Sequence, residues 1–182
     1  TTTFSTLNTS GTTVYNWTNS NIAIGLAGTG TGNLSFTATN PSTSPISGTI
    51  TVTPTYTANG ISCEGNPIIF TITVNPSAQV NQPSNLIICA SDNVPTIALT
   101  TSNTIGTTTY SWSNDTPSIG LAASGNGDIP FFTATNSTSG PITATVTVIP
   151  FYTDGTKSCS GPSKTFTIIV NPAADVIQPN DL

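Results

Sequence analysis

The sequence predicts an all-β chain built as tandem Greek-key sandwiches, and three observations carry that expectation. The chain repeats itself. Tyr15-Asn16-Trp17-Thr18-Asn19 returns as Tyr110-Ser111-Trp112-Ser113-Asn114, Phe36-Thr37-Ala38-Thr39-Asn40 returns as Phe132-Thr133-Ala134-Thr135-Asn136, and residues 70–76 return as 166–172. The offset is about 95 residues early and about 96 after an insertion near residues 129–131, the size of one small sandwich domain. Apolar residues alternate with period two: Ile50, Val52, Pro54 and Tyr56 share one face, with Thr49, Thr51, Thr53 and Thr55 on the other. No stretch has a capped helical period.

The elements follow from the complete copy. Alternating runs place strands near 84–90, 96–101, 107–113, 117–123, 129–135, 142–153 and 163–171, with turn residues between them. Seven short strands at this spacing imply a sandwich of immunoglobulin type. Pro54 and Pro150 fall inside long strand patterns and cannot donate to a ladder, so a bulge, an edge or a change of sheet is expected there. The junction at residues 75–83 is bracketed by prolines and lacks a Gly/Ser tether, which predicts an extended link between sandwiches placed end to end. The expected organisation is copy 1 over residues 1–76 without its first strand, a complete copy 2 over 77–172, and the opening of a third copy over 173–182. Residues 175–182 match 79–86, so a parent polypeptide continuing in both directions is expected.

Charge is scarce: 5% of residues are charged, against about a quarter in ordinary globular proteins. Ser and Thr make up about a third of the chain. Regular apolar alternation argues against disorder. Two lysines and no arginine cannot neutralise a phosphate backbone, so nucleic acid is not an expected partner. No apolar run approaches the length of a membrane helix, so no membrane insertion of this segment is expected.

Cys63 and Cys159 occupy the same position in successive copies, and the counterpart of Cys89 would precede Thr1. The repeat phase therefore predicts a disulfide between Cys89 and Cys159, with Cys63 pairing to a cysteine upstream of this chain. Such a long loop would add roughly 4 kcal/mol by chain entropy. Buried free thiols are the alternative. A disulfide implies an oxidising, extracellular compartment.

The paired aromatics Tyr15, Trp17, Phe36, Tyr56 and Phe70, with Tyr110, Trp112, Phe132, Tyr152 and Phe166, are expected in the core; a sugar-stacking platform is the alternative. Phe131 and Phe151 replace Ser35 and Thr55 of the first copy, which suggests an exposed apolar patch. The glycine string Gly25, Gly28, Gly30, Gly32 has no lysine and no helix after it, so a turn is expected rather than a phosphate loop. Gly125-Asn126-Gly127-Asp128 is slightly calcium-like, but its first-copy equivalent holds no carboxylate. With no His, no Arg and Glu64 as the sole acid before residue 77, neither catalysis nor a metal nor a cofactor is expected. A Lys–Asn crosslink needs a buried lysine in each copy, and only Lys157 and Lys164 exist.

The joint pattern resembles one family. Tyr110-Ser111-Trp112-Ser113-Asn114, residues 118–125 and 132–136, Ala144-Thr145-Val146-Thr147-Val148, Cys159-Ser160-Gly161-Pro162 and residues 166–172 are similar to the PKD-like, immunoglobulin-like repeats of giant surface proteins of Bacteroidota. The resemblance covers essentially the whole chain. It departs from PKD domains proper, since Trp112 is followed by Ser113-Asn114-Asp115-Thr116. The resemblance implies the stalk of a large adhesin, including those of gliding motility exported by type IX secretion, on a bacterial, outer-membrane-associated cell surface. The expected role is a structural repeat segment acting as a mechanical spacer, with neighbouring repeats of the same polypeptide as partners. A polysaccharide-binding module is the alternative, and a filament subunit that swaps its edge strand with a neighbour a further one.

Overall fold

A computed structural model describes residues 1–176 and 178 of the chain. The chain divides into two compact units, Thr1–Pro76 and Ser77–Leu182. Of the third copy expected over 173–182, residues 177 and 179–182 lie outside the described residues. Both units are all-β, and 3-10 turns supply the only helical residues described.

Unit 1 holds β1 (Thr12–Asn19), β2 (Thr29–Thr31), β3 (Ile46–Ala58), β4 (Ile61–Glu64) and β5 (Ile68–Val74), joined in one antiparallel sheet. Unit 2 holds β6 (Leu86–Cys89), β7 (Asn93–Val94), β8 (Thr107–Asn114), β9 (Ser124–Asn126), β10 (Phe132–Thr133), β11 (Ile142–Thr153), β12 (Ser158–Ser160) and β13 (Lys164–Asn171). Six of these form one sheet in the order β6-β13-β11-β8-β9, with β12 also on β11; β7 and β10 form a small second sheet. Every pairing is antiparallel except β6 with β13.

The long strand β11 organises unit 2. One edge carries β8 from Val146 to Thr153. The other carries β13 as far as Val148 and then β12 from Phe151. Pro150 sits in the gap between those two partners, where no ladder donor is needed, and its carbonyl accepts the Gly161 N–H at 3.1 Å. In unit 1, β3 pairs β5 up to Val52 and β4 from Thr55, with Pro54 in the same gap. The prolines therefore mark a change of partner strand.

Alternation then builds the core. Ala144, Val146, Val148 and Tyr152 of β11 point inward beside Phe166, Ile168 and Val170 of β13. Val94 and Phe132 of the small sheet, with Leu99 and Ile129, close the other side of that cluster. Trp112 lies over Gly125, where a Cβ would stand 2.3 Å from the indole ring; Trp17 lies over Gly30 in the same way, at 2.2 Å. Each glycine is thus a seat for an indole.

Several expected strands differ. Residues 117–123 do not form a strand: Pro117–Ile119 is a 3-10 turn, opened by Pro117 and stopped by Gly120 in the left-handed region. Residues 96–101 contribute one bridge, Ile97 to Ile129. Of 129–135 only Phe132–Thr133 pairs as a strand, while β9 and β12 are strands the alternation did not reveal, each only three residues long.

Gly125→Val should push the Trp112 ring out of its seat and cost about 1–3 kcal/mol of unit 2 stability, as overpacking does. Urea denaturation followed by tryptophan emission checks this, with the emission shifting red in the native state.

Candidate functional site

Among the expected core aromatics, Trp17, Tyr110, Trp112, Phe132, Tyr152 and Phe166 are buried. Tyr15, Phe36 and Phe70 are half-buried against the unit 1 core, and Tyr56 is half-buried beside it. Phe131 is 58% exposed, but Phe151 is half-buried. Phe131 precedes β10 of the small sheet and Phe151 lies on β11 of the large one, and the neighbours Phe132 and Tyr152 fill the core side. Both rings therefore point away from the core side of their own strands, Phe131 the more exposed of the two.

The Cys89–Cys159 bridge is corrected by the strand register. All three cysteines are free. Cys89 stands opposite Asn171, level with the start of β11, and Cys159 stands opposite Tyr152 near its far end. About ten residues of strand at roughly 3.3 Å each separate them, some 30 Å. A disulfide needs Cα atoms within about 7 Å. The repeat phase identified equivalent cysteines correctly but could not tell which end of the sheet each one reaches.

The polar residues that recur in both units work inside the fold. Asn114 is buried; its amide donates to the carbonyls of Leu121 and Ala122 and its Oδ1 accepts the Thr116 N–H. Asn19 does the same with Leu26, Asn21 and the Asn21 N–H. Asn136 ties the carbonyls of Gly140 and Val170, as Asn40 ties Ser44 and Val74. These asparagines end the repeated Tyr-x-Trp-x-Asn and Phe-Thr-Ala-Thr-Asn runs. Their place at the close of both runs was the available sign of a shared clamp.

The calcium-like stretch has a bonding role common to both copies. Asp128 accepts the Leu99 N–H at 2.8 Å, and Asn33 accepts the Phe4 N–H at 2.8 Å. An amide oxygen serves as well as a carboxylate, which accounts for the substitution between copies. No three His, Cys, Asp or Glu side chains cluster to hold a metal among the described residues. Lys157 and Lys164 are exposed.

One concavity stands out. Unit 1 carries a groove of about 740 Å³ lined by Phe4, Asn8, Tyr15, Pro54, Tyr56 and Gly65, among others. Its counterpart in unit 2 is filled by that unit's own opening segment, where Ala78 and Val80 are buried. Tyr152 is fully buried beneath this arrangement, while its equivalent Tyr56 stays half-exposed at the groove wall.

The chain matches no protein-family model and no curated protein sequence.

Native protein should give rapid reaction of Cys63 and Cys89 with a thiol reagent, slower reaction of Cys159, and an intact mass without an internal crosslink under non-reducing conditions. Burial pushes the hydroxyls of Tyr110 and Tyr152 above the usual phenol range, with Asp128 and Asp154 adding repulsion. A phenol raised in the folded state stabilises fully below its unfolded value near 10 and loses that contribution as pH rises through its folded value. Unit 2 should therefore weaken above about pH 10, and Tyr152→Phe should flatten that decline in alkaline thermal melts.

Proposed function

We propose that this chain is a structural repeat segment of a long bacterial cell-surface adhesin filament, a mechanical spacer made of immunoglobulin-like, PKD-like repeats. Neighbouring repeats of the same polypeptide are its partners, and surface adhesion or gliding motility is the setting implied by the resemblance. With the disulfide gone, the extracellular location rests on that resemblance and on the hydroxyl-rich, charge-poor composition.

One observation supports the mechanical role above the others. β6 and β13 are the first and last strands among the described residues of unit 2, and they are parallel, hydrogen-bonded neighbours from Leu86 opposite Ile168 to Cys89 opposite Asn171. Pulling the two ends of the unit apart loads this ladder along the strands. All of its hydrogen bonds then resist together, rather than opening one at a time. Side chains lengthen the ladder: Gln82 donates to the Thr165 carbonyl at 2.7 Å and Asn85 accepts the Thr167 N–H at 2.9 Å. The Ala90 N–H continues it to the Asn171 carbonyl at 2.9 Å.

The polysaccharide reading requires aromatic faces exposed at equivalent positions in both units. Trp17 and Trp112 are buried, and Tyr56 has no exposed partner because Tyr152 is fully covered.

Single-molecule pulling tests the spacer role. Unit 2 should open in one step at clearly higher force than unit 1, whose β5 pairs only with β3 among the described residues. Ala90→Pro, which deletes a donor of the ladder, should lower the stronger event and leave the weaker one unchanged. Equally low forces for both units would count against the proposal.

A further inference from the structure

Three pairs in the chain set an asparagine or aspartate before a glycine: Asn59-Gly60, Asn126-Gly127 and Asp154-Gly155. Such pairs share an intrinsic reaction, in which the glycine amide nitrogen, unshielded by a side chain, attacks the preceding side-chain carbonyl carbon and closes a five-membered succinimide. All three pairs are exposed. Sequence and exposure therefore rank them alike. Hydrogen bonding separates them, because closure needs a nitrogen free to lose its proton and a side chain free to turn.

Unit 2 ties down both of its pairs. The Gly127 N–H donates to the Tyr110 carbonyl at 2.9 Å, next to the rung that sets Asn126 opposite Ser111. The Gly155 N–H donates to Thr153 Oγ1 at 3.1 Å. Asp154 is held as well: its Oδ1 accepts the Thr156 N–H, the Thr156 hydroxyl and the Lys157 N–H, each at 2.8 Å. In unit 1, by contrast, neither the Asn59 amide nor the Gly60 N–H has a partner among the described residues. A Cβ added at Gly60 would meet nothing within 4 Å, so the approach to its nitrogen is open.

The fold itself calls for this exposed pair. Asn59-Gly60 is the two-residue loop between β3 and β4, and both residues have positive φ, 51° and 77°. Asn-Gly is the pair that such a tight hairpin favours. The turn that joins the strands is thus also the most labile peptide step in the chain.

We propose that Asn59 is a site of spontaneous deamidation, and that its conversion loosens the β3–β4 hairpin of unit 1 while the pairs of unit 2 stay intact. The Gly60 nitrogen, once its proton has passed to hydroxide, bonds to Asn59 Cγ; the Cγ–Nδ2 bond breaks and ammonia leaves with a proton taken from water. Water then opens the ring at either carbonyl, giving aspartate or isoaspartate. The net exchange is an amide and water for a carboxylate and ammonium. Isoaspartate routes the chain through Cγ and adds an atom to a loop whose twist matches its strands only at its original length. The rung Ala58 opposite Ile61 is the first to feel this, and β4 pairs only with β3 among the described residues. This ageing stands apart from the spacer role, since it depends on one hairpin tip and not on the force that unit 2 withstands.

Incubating the intact folded chain in warm, mildly alkaline heavy-oxygen water, then mapping its peptides by mass, tests the site. Label should enter at Asn59 at least about tenfold faster than at Asn126 or Asp154, whose nitrogens are released only by local opening. In guanidinium chloride the rates at Asn59 and Asn126 should converge. The added negative charge lets ion exchange separate the converted chain, and hydrogen exchange should then be faster in β4 of that form than in the unconverted one. Folded-state labelling at Asn126 that matches Asn59, or an Asn59 that takes up no label when folded, overturns the assignment. Unchanged exchange in β4 overturns the loosening.

Discussion

The central strand, β3 in unit 1 and β11 in unit 2, is the constraint on which the remaining structure depends. Its alternation fixes an inner apolar row and an outer hydroxyl row, and a slip of one residue would invert both. Its length lets one edge hold a single long partner while the other is shared between two. The shared edge needs one residue that asks nothing of either neighbour. Proline meets that need, and its carbonyl is taken up by the glycine that follows the short strand, Gly65 or Gly161. The same glycine leaves room for the opening segment, so one local feature sets both the change of partner and the seat beside it.

Residues with long-range periodicity were readable in the sequence, and residues whose role depends on a partner segment were not. The alternation of β3, β5, β11 and β13 and the Tyr-x-Trp step announced strands because the inward side chains recur every second position. Pro117 and Gly120 sit in a run that alternates just as well, but a proline opening and a left-handed glycine shorten it into a turn. The cysteines failed for a geometric reason. Repeat phase says which positions are equivalent, whereas bridging depends on where each strand lies along the sheet, and the parallel placement of β6 carries Cys89 away from Cys159. The groove was equally hidden, because its lining is the same alternating sequence that elsewhere forms core.

Burial in the two units is therefore a comparison made by the chain on itself. Val170, Ile168 and Phe166 are fully buried, and their equivalents Val74, Ile72 and Phe70 are only partly so. The side chains are alike or identical, so composition does not account for the difference. What differs is the β6 strand and the segment before it, which lie against β13 in unit 2 and have no counterpart on β5 among the residues of unit 1. Exposed Ile69 on the outer side of β5 belongs to the same open edge.

An open strand edge ordinarily invites indiscriminate pairing. Here the outward rows of β1 and β3 are mostly hydroxyl and amide side chains, with Val14 the one aliphatic exception, which keeps β-propensity high with little apolar face. The scarcity of charge means that like-charge repulsion does little to keep neighbouring repeats apart. In unit 2 the opening segment is instead seated by shape: Gly161 leaves room for the backbone at Ala78, Asn103 accepts the Gln79 N–H and donates to the Ser77 carbonyl, and Ala78 and Val80 are buried.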